Sequence, residues 1–243
     1  MKKKFVAFLI HLSLSVSIAL LVMLLVFRLW YPAPLHDLVG VAHIFYLLVG
    51  IDVMIGPVLT FIVYKKGKPS LATDLSLIAF FQLAAFFYGI WTVAEGRPAW
   101  IVFNVDRFSL VQVIELDTRQ RDKTAAKYRS PSWFGPSWVS AEAPSDIEER
   151  NTLTFESVFA SVDLPQRTDL YQPLENAHDD IRRRAMPLEK LTQYNTAEAV
   201  EQVRHRWPQA NAYLPLVYKM SFATVLIKSE SAEVVGITPL IPW

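Results

Sequence analysis

Three long apolar runs occupy the first third of the chain, at residues 5–27, 38–64 and 71–94. About 20 apolar residues are enough to cross the hydrocarbon core of a bilayer, and each run reaches that length. Because lipid offers the backbone no hydrogen-bond partner, a spanning segment must be helical. The pattern therefore predicts three N-terminal transmembrane α-helices at about 5–30, 38–64 and 71–94, within a membrane region that covers residues 1–96.

Lysines flank these runs unevenly. Three precede the first run and three follow the second, whereas the connection at 32–37 holds no Lys or Arg: Lys2, Lys3, Lys4, Lys65, Lys66, Lys68. Short basic loops stay in the cytoplasm, so the N-terminus is predicted to be cytoplasmic and residues 97–243 extracytoplasmic. The first run is longer than the ~7–15-residue core of a signal peptide and lacks a small-residue cleavage site, which favours an uncleaved anchor.

Asp52 lies near the middle of the second predicted span. An ionised carboxylate at that depth costs at least ~2.5–3.5 kcal/mol, so the group is expected to be neutral, paired or in a wet crevice. Gln82, at a similar depth in the third span, is its predicted hydrogen-bond partner. Asp52 either joins the second and third spans or contacts another membrane helix or relays protons. A lone carboxylate is a poor transport pathway, which favours the first interpretation.

Other unusual residues within the spans are read as packing features. Gly56 and Pro57 follow Asp52 by one turn and should open or kink the helix. Intramembrane glycines allow helices to approach closely. His11 and His43 are interpreted as packed hydrogen-bonding side chains, because the sequence offers no third ligand for a metal or haem site.

The pattern changes from Ala99 onward, where β-branched and aromatic residues replace the long apolar runs. Residues 99–105 and 108–116 are predicted strands, and residues 218–228 and 234–240 are predicted to form a hairpin around the polar turn at 229–233. This part of the chain is large enough to bury its own core.

The middle of this region is predicted to be helical. A capping box at 145–148 should open a helix toward Ala160, and a second at 195–198 should open one that ends at Pro208. Residues 179–191 are also predicted to be helical, with an interruption at Pro187. Residues 97–243 are thus expected to form an α+β domain with an antiparallel sheet.

An aromatic segment at 130–138 combines Trp133, Phe134 and Trp138 with turn-forming residues and is predicted to be a loop. Such a loop could lie on a membrane surface or contact a partner. It could also fold back onto its own sheet, and this second interpretation is favoured because aromatic side chains are usually buried.

Composition argues against several functions. The chain has 24 basic and 23 acidic residues, which gives no indication of nucleic-acid binding, and no cysteine. No common catalytic or nucleotide-binding motif is present. The only local His and carboxylate cluster, at 178–180, is interpreted with the arginines at 182–184 as a solvated helix. We therefore expect no catalytic residues, no cofactor and no metal, and the chain is not expected to be an enzyme.

Several short motifs, in this order, resemble one known family. They extend from Asp52-x-x-x-Gly56-Pro57-x-Leu59-Thr60 through the lysine loop with Asp74-Leu75, then Gln82-x-x-Ala85-x-x-Tyr88-Gly89, to Arg97-Pro98-x-x-x-Val102-Phe103-x-Val105-Asp106-Arg107-Phe108, with a terminal Pro242-Trp243. The chain resembles the type IV pilin accessory proteins, the TfpX/TfpZ-like group also called FimB-like. The resemblance is strongest from about Asp52 to Val111.

The resemblance implies a protein of the bacterial cytoplasmic (inner) membrane with a periplasmic C-terminal domain. It also implies association with a type IV pilin and a role in pilus assembly or in the balance between extension and retraction, as a pilin-specific chaperone would have. No active-site residue transfers. The alternative is a membrane-anchored extracytoplasmic sensing or small transport-related protein, and the oligomeric state stays open.

Two sets of residues follow from this hypothesis. A pilin before assembly is a membrane protein with one long apolar helix, so the spans are expected to hold that helix. The candidate seam for it comprises Asp52, Gly56, Pro57 and Gln82. The second set is the motif at the domain entrance, which is predicted to be structural: Arg97, Pro98, Asp106, Arg107, Phe108.

Overall fold

The structure is a computed structural model that describes residues 2–159 and 162–243. The chain forms two compact units. The first comprises the residues up to Pro32 together with Gly40–Gly96, and the second comprises Ala33–Val39 together with Arg97–Trp243.

The helices before residue 97 are α1 (Lys2–Leu24, continued by a π-helical segment at Leu25–Trp30), α2 (Leu35–Val39), α3 (Val41–Val63) and α4 (Leu71–Glu95). Within the described part of the chain, three helices are long and apolar enough to cross a membrane: Lys2–Trp30, Val41–Val63 and Leu71–Glu95. The prediction of three N-terminal transmembrane helices is confirmed, and these helices anchor the chain in a membrane.

The second span begins later than predicted. Gly40 has a φ of 77° and separates α2 from α3, a backbone conformation that glycine adopts without steric cost. Leu35 and Leu38 of α2 are buried in the core of the second unit. The connection between the first two spans is therefore part of the second unit, and the second span starts at Val41 instead of residue 38.

Within the first unit, α1 and α4 both pack against α3. A Cβ atom at Gly89 would lie 1.9 Å from Cδ1 of Leu48, so the missing side chain lets α4 approach α3 closely. The Tyr31 hydroxyl donates a hydrogen bond to the Val93 carbonyl at 2.8 Å, which joins the end of the first span to the third.

The second unit is built on one mixed sheet with the strand order β4-β3-β1-β2-β6-β7-β8, with β5 paired to β6. The strands are β1 (Pro98–Asn104), β2 (Arg107–Gln112), β3 (Ser137–Ala141), β4 (Tyr171–Pro173), β5 (Met186–Pro187), β6 (Ala212–Tyr218), β7 (Ser221–Lys228) and β8 (Glu233–Thr238). Most pairs are antiparallel, as predicted. The β1–β3 and β2–β6 pairs are parallel and were not predicted.

The helices of this unit are α5 (Ile147–Phe159), α6 (His178–Arg184) and α7 (Ala197–Arg206). Asp146 caps α5 by accepting a hydrogen bond from the Glu149 N–H at 2.9 Å, and Thr196 caps α7. The predicted end of α5 at Ala160 lies outside the described residues. Short 3-10 helices occupy Val113–Glu115, Ala126–Tyr128, Leu164–Gln166, Thr168–Leu170, Leu174–Ala177 and Leu188–Gln193.

The helical segment predicted at 179–191 with an interruption at Pro187 is present in two pieces. After α6 the chain forms the two-residue strand β5, which includes Pro187, and then a 3-10 helix at Leu188–Gln193. Proline removes a backbone donor and blocks the preceding helical turn, so the two pieces do not join into one α-helix.

Strand β1 is buried on both faces of the sheet, and its successive residues, which point to opposite sides, join different cores. Ile101 and Phe103 join a core that also holds Leu35, Leu38 and Ile181. The neighbouring residues Trp100 and Val102 join a second core with Tyr128, Leu153 and Tyr171. A third cluster packs α7 and the 3-10 helix at Leu188–Gln193 against Tyr213 and Leu226. The α+β fold expected for this region is confirmed.

Candidate functional site

A polar cluster lies within the three spans, and Gln82 of α4 is at its centre. The Nε2 of Gln82 donates to the main-chain carbonyl of Asp52 at 2.9 Å and lies 3.4 Å from the Ser15 hydroxyl. The Oε1 of Gln82 lies 3.0 Å from the Nε2 of His11. One amide side chain thereby joins all three spans.

His11 extends the cluster to a fourth side chain. Its Nδ1 lies 2.7 Å from the hydroxyl oxygen of Thr60, which is buried on α3. A neutral imidazole that donates from Nε2 to the Gln82 carbonyl oxygen accepts at Nδ1 from the Thr60 hydroxyl. Polar atoms in a bilayer have no water to bond with, so these mutual bonds stabilise the packing of the spans.

The space for Gln82 exists because residue 56 is glycine. A Cβ atom at Gly56 would lie 2.1 Å from Oε1 of Gln82 and 2.5 Å from its Nε2. Both atoms belong to the end of a flexible side chain, so a larger residue at position 56 would displace the amide from its partners. Pro57 is buried beside Gly56, and α3 continues through it to Val63.

Asp52 is half-buried on α3, one turn before Gly56. The predicted contact with Gln82 exists, but the predicted acceptor is wrong: the amide bonds to the main-chain carbonyl of Asp52, and its carboxylate is not involved. Across residues 2–159 and 162–243 we find no hydrogen bond or ion pair to that carboxylate. It lines a groove between the three spans together with His11 and Gln82.

The structure thus brings three of the four seam residues together, namely Asp52, Gly56 and Gln82, and places Pro57 next to them. The seam as a binding site stays a prediction. Sequence reasoning missed His11, Ser15 and Thr60 as members of the cluster. A helical signal was available, because Asp52, Gly56 and Thr60 repeat every fourth residue on α3 and His11 and Ser15 do so on α1.

The groove itself is mostly apolar. Its apolar lining comes from α1, α3 and α4: Leu14, Ile18, Val49, Val53, Leu83, Phe86. Among the described residues, no group of three or more His, Asp or Glu side chains could hold a metal ion. The arrangement can therefore join helices and present one carboxylate to whatever enters the groove.

Arg97 at the domain entrance is only 3% exposed. Its guanidinium lies over the Trp133 ring, 3.9 Å from the ring centre, and its Nε donates to the Ser132 carbonyl at 3.5 Å. Pro98 begins β1 directly after it. Arg97 thus holds part of the aromatic loop against the start of the sheet.

The aromatic segment at 130–138 is a loop only in its first part. Trp138 lies in β3, and its ring contacts Phe108 edge-on at a centroid distance of 5.2 Å. Trp133 stacks with Arg97, whereas Phe134 is 82% exposed. The favoured interpretation that the segment folds onto its own sheet therefore describes two of the three aromatic side chains.

The remaining entrance residues form the tight hairpin between β1 and β2. Val105 has a φ of 57°, and Arg107 pairs with the carboxylate of Asp106 at 2.8 Å. Phe108 is fully buried and packs against Phe103. These contacts fit the structural role expected for the motif, and that role stays a prediction.

The C-terminal Pro242-Trp243 pair closes onto the sheet of the second unit. The Tyr213 hydroxyl donates to the Pro242 carbonyl at 3.1 Å. The Trp243 ring lies edge-on to Phe222 at 5.7 Å and also faces the guanidinium of Arg107 at 5.6 Å. The C-terminal motif Pro242-Trp243 thus contacts the β1–β2 hairpin, which carries another of the motifs that the chain shares with the family.

An ionic cluster in the second unit was not foreseen from the sequence. Arg119 donates to the Asp117 carboxylate at 2.8 and 2.9 Å and to Glu156 of α5 at 2.7 Å. Arg167 pairs with Asp169 at 2.8 Å and lies 3.9 Å from Asp117. The hydrogen bond from Arg119 is the main cause that holds the pKa of Asp117 below its usual range.

The charged residues of α6 pair with each other along the helix. Asp179 pairs with Arg182 and Asp180 pairs with Arg183, each three residues apart. The side chain of Asp179 is 81% exposed. These pairs are those of a solvated helix face, as predicted for this cluster.

Comparison with known proteins gives consistent matches. The family model described as "FimB: Fimbrial assembly protein FimB" matches residues 1–40. The chain is 30% identical over 234 residues to "Fimbrial assembly protein, serogroup E1" from Dichelobacter nodosus, covering 93% of this chain and 90% of that protein. The chain belongs to the FimB family of fimbrial assembly proteins. The resemblance drawn from the sequence motifs is thereby confirmed.

Other FimB-family relatives match in the same way. "Fimbrial assembly protein, serogroup I" from Dichelobacter nodosus is 29% identical over 233 residues, covering 93% of this chain and 90% of that protein. "Fimbrial assembly protein, serogroups C1 and C2", from the same organism, is 40% identical over 104 residues, which are 42% of this chain and 79% of that protein. No solved structure matches the chain.

Proposed function

We propose that this chain is a non-catalytic accessory protein of type IV fimbrial assembly that associates with the pilin subunit in the cytoplasmic membrane of a bacterium. The observation that carries the proposal is the match, over nine-tenths of both chains, to a protein named for fimbrial assembly. A membrane protein of this family acts where fimbrial subunits reside before they are assembled.

The two units suit a partner with a membrane helix and a folded head. The first unit offers spans with a polar cluster and a groove. The second unit contains both the connection after the first span and the chain after the third span, as expected if both lie on one side of the membrane. Lysine placement predicts that this side is the periplasm, where the head of an unassembled pilin would be.

The candidate seam divides into two roles under this proposal. Gly56 and Gln82 hold the spans together, because the amide bonds to residues of all of them. The Asp52 carboxylate has no such internal role among the described residues. Of the predicted seam residues it is therefore the one that we assign to partner contact.

Deletion of the gene in its own host tests the proposal. We expect far fewer surface fimbriae, counted by electron microscopy, and recovery when the wild-type gene is restored. Unchanged fimbriation would contradict a role in assembly. Repeating the deletion in a strain whose retraction motor is disabled separates two modes of action: recovered fimbriae would show that the protein opposes retraction, and absent fimbriae would show that extension needs it.

Association with pilin needs a separate measurement. A photoreactive side chain placed on each unit in turn should give adducts that an antibody to pilin recognises. If no position on either unit gives such an adduct while fimbriae still depend on the gene, the assembly role stands and direct pilin contact is wrong.

A further inference from the structure

The polar side chains that cluster around Gln82 in the first unit bond to one another. His11, Thr60 and Gln82 bond to one another, and Gln82 also reaches the main chain at residue 52. The Ser17 hydroxyl donates to the Ser13 carbonyl within its own helix. In the part of the chain that the structure describes, the Asp52 carboxylate has no partner.

An unpaired carboxylate is costly at this depth in the membrane. Insertion of an ionised Asp at the centre of a span costs at least ~2.5–3.5 kcal/mol, and intramembrane acids are usually paired or face a cavity. A protonated Asp52 would still present a hydroxyl and a carbonyl that need partners. In either protonation state the residue gains from a hydrogen-bonding group supplied by another molecule.

The groove that Asp52 lines is suited to a helix. It lies among residues of α1, α3 and α4, its lining is mostly apolar, and Asp52 is one of the lining residues. The groove encloses about 170 Å³, so a transmembrane helix packed against it can insert a side chain while its own backbone bonds stay satisfied. A lipid chain could fill the space as well, but its hydrocarbon has no donor for the carboxylate.

We infer that the groove binds a transmembrane helix of the partner that presents a hydrogen-bond donor, such as an amine, hydroxyl or amide N–H, to the carboxylate of Asp52. The inference rests on the proposed function, in which that partner is the pilin. Shape alone would accept any apolar helix, whereas the carboxylate selects for a helix with a donor at the matching depth. Asp52 is thus a specificity residue of the groove.

The position of the groove is tested by photocrosslinking with the full chain in its native membrane. The photoreactive residue p-benzoylphenylalanine replaces Phe86, which lines the groove, or Phe87, which is exposed and does not line it. The two sites are adjacent on α4 and start from the same side chain. We expect pilin adducts from position 86 and few from position 87.

The role of the carboxylate is tested with variants that carry the probe at position 86. Asp52→Leu keeps the branched shape of the side chain but cannot form a hydrogen bond, and it should lower the adduct yield about tenfold or more, because a hydrogen bond to a charged group is lost. Asp52→Asn keeps an acceptor and should give an intermediate yield. Protein levels and thermal unfolding in detergent show whether each variant folds. If the Leu variant does not fold, the near-isosteric Asn variant is compared with the wild type instead.

Several results would overturn the inference. Equal adduct yields from Asp52→Leu and the wild type would show that the carboxylate does not select the helix. Equal yields at positions 86 and 87 would show that the pilin helix does not bind in the groove. An adduct of twice the chain's own mass would show that a second copy of this chain binds there. Pilin adducts from the second unit alone would refute the groove and leave the proposed function intact, whereas no pilin adduct from either unit would refute the association itself.

Discussion

Gly56 of α3 and Gln82 of α4 are in contact so close that a Cβ atom at position 56 would lie 2.1 Å from Oε1 of Gln82. The amide fills the space that the glycine leaves open, and from there it reaches His11 and the Asp52 carbonyl. The glycine and the hydrogen-bonded cluster therefore depend on each other.

Substitution of Gly56 by alanine should break the cluster without filling a void. The new methyl group displaces the Gln82 amide, and hydrogen bonds between transmembrane helices average about 0.6 kcal/mol and reach about 1.7 kcal/mol. We expect Gly56→Ala to destabilise the first unit by about 1–2 kcal/mol, measured by thermal unfolding of the full chain in detergent.

Gly50→Ala is the matched control for this experiment, because a Cβ atom at Gly50 would meet nothing within 4 Å. The double variant Gly56→Ala/Gln82→Ala should be non-additive, since truncation of Gln82 removes the group that the methyl displaces. Equal stability of the Gly50 and Gly56 variants would show that displacement of the Gln82 amide does not destabilise the first unit.

The orientation of the chain can be measured directly, because the sequence contains no cysteine. Lys66→Cys lies in the basic loop and Glu198→Cys lies on an exposed face of α7. In spheroplasts a membrane-impermeant maleimide should label position 198 and should label position 66 only after lysis. Labelling of position 66 in intact spheroplasts would reverse the predicted topology.

The short helix between the first two spans should contribute to the stability of the second unit. Leu35 is 1% exposed and belongs to the same core as Phe108 and Ile181. Leu35→Ala should cost about 2–5 kcal/mol, as buried leucine truncations do, and it should lower the midpoint of thermal unfolding followed by near-UV circular dichroism.

Asp37→Ala on the same short helix is the control, because Asp37 is exposed. Its effect should stay within about 0.5 kcal/mol, as for other surface substitutions. Similar losses for both variants would mean that α2 acts through its helical conformation and that Leu35 has no special role in the core.

The spans were predictable from sequence because their length and apolarity alone determine them. The proximity of Asp52 and Gln82 was predictable as well, since both residues lie at a similar depth. The bonding partners of His11 were not, because they depend on how α1 is rotated about its axis against α3, and that rotation is set by packing of all the side chains. Gly40 lies inside the span predicted at 38–64, and its φ of 77°, which ends α2 before that span begins, shows only in the structure.

The sheet was predicted in part for a similar reason. The hairpins β1–β2 and β7–β8 join strands that follow each other in the sequence, so two β-rich runs around a short turn predict them. Strands β3 and β4 pair with strands that are distant in the sequence, and no local pattern predicts such pairing. Strand β6 was missed, since Pro215 argues against a central strand. That proline lies between the residues of β6 paired with β5 and those paired with β2, so its missing N–H removes no bond from either pairing.

The stability of the second unit should depend on pH through Asp117, whose side chain is 4% exposed and pairs with Arg119. Its pKa is lowered in the folded chain, so the ion pair stabilises the fold above the ordinary Asp pKa of about 3.9 and is lost as the pH falls through the lower folded value.

Asp117→Asn should destabilise the unit by about 1–3 kcal/mol at pH 7 and should lose less further stability than the wild type between pH 6 and pH 3, measured by thermal unfolding of the full chain in detergent. Glu156 pairs with Arg119 and Arg167, and Asp169 pairs with Arg167. Both carboxylates are present in the two proteins, so the difference between the curves reports the change at position 117. Asp179→Asn, in an exposed pair, should follow the wild-type curve, and parallel curves for Asp117→Asn and the wild type would exclude this ion pair as a source of the pH dependence.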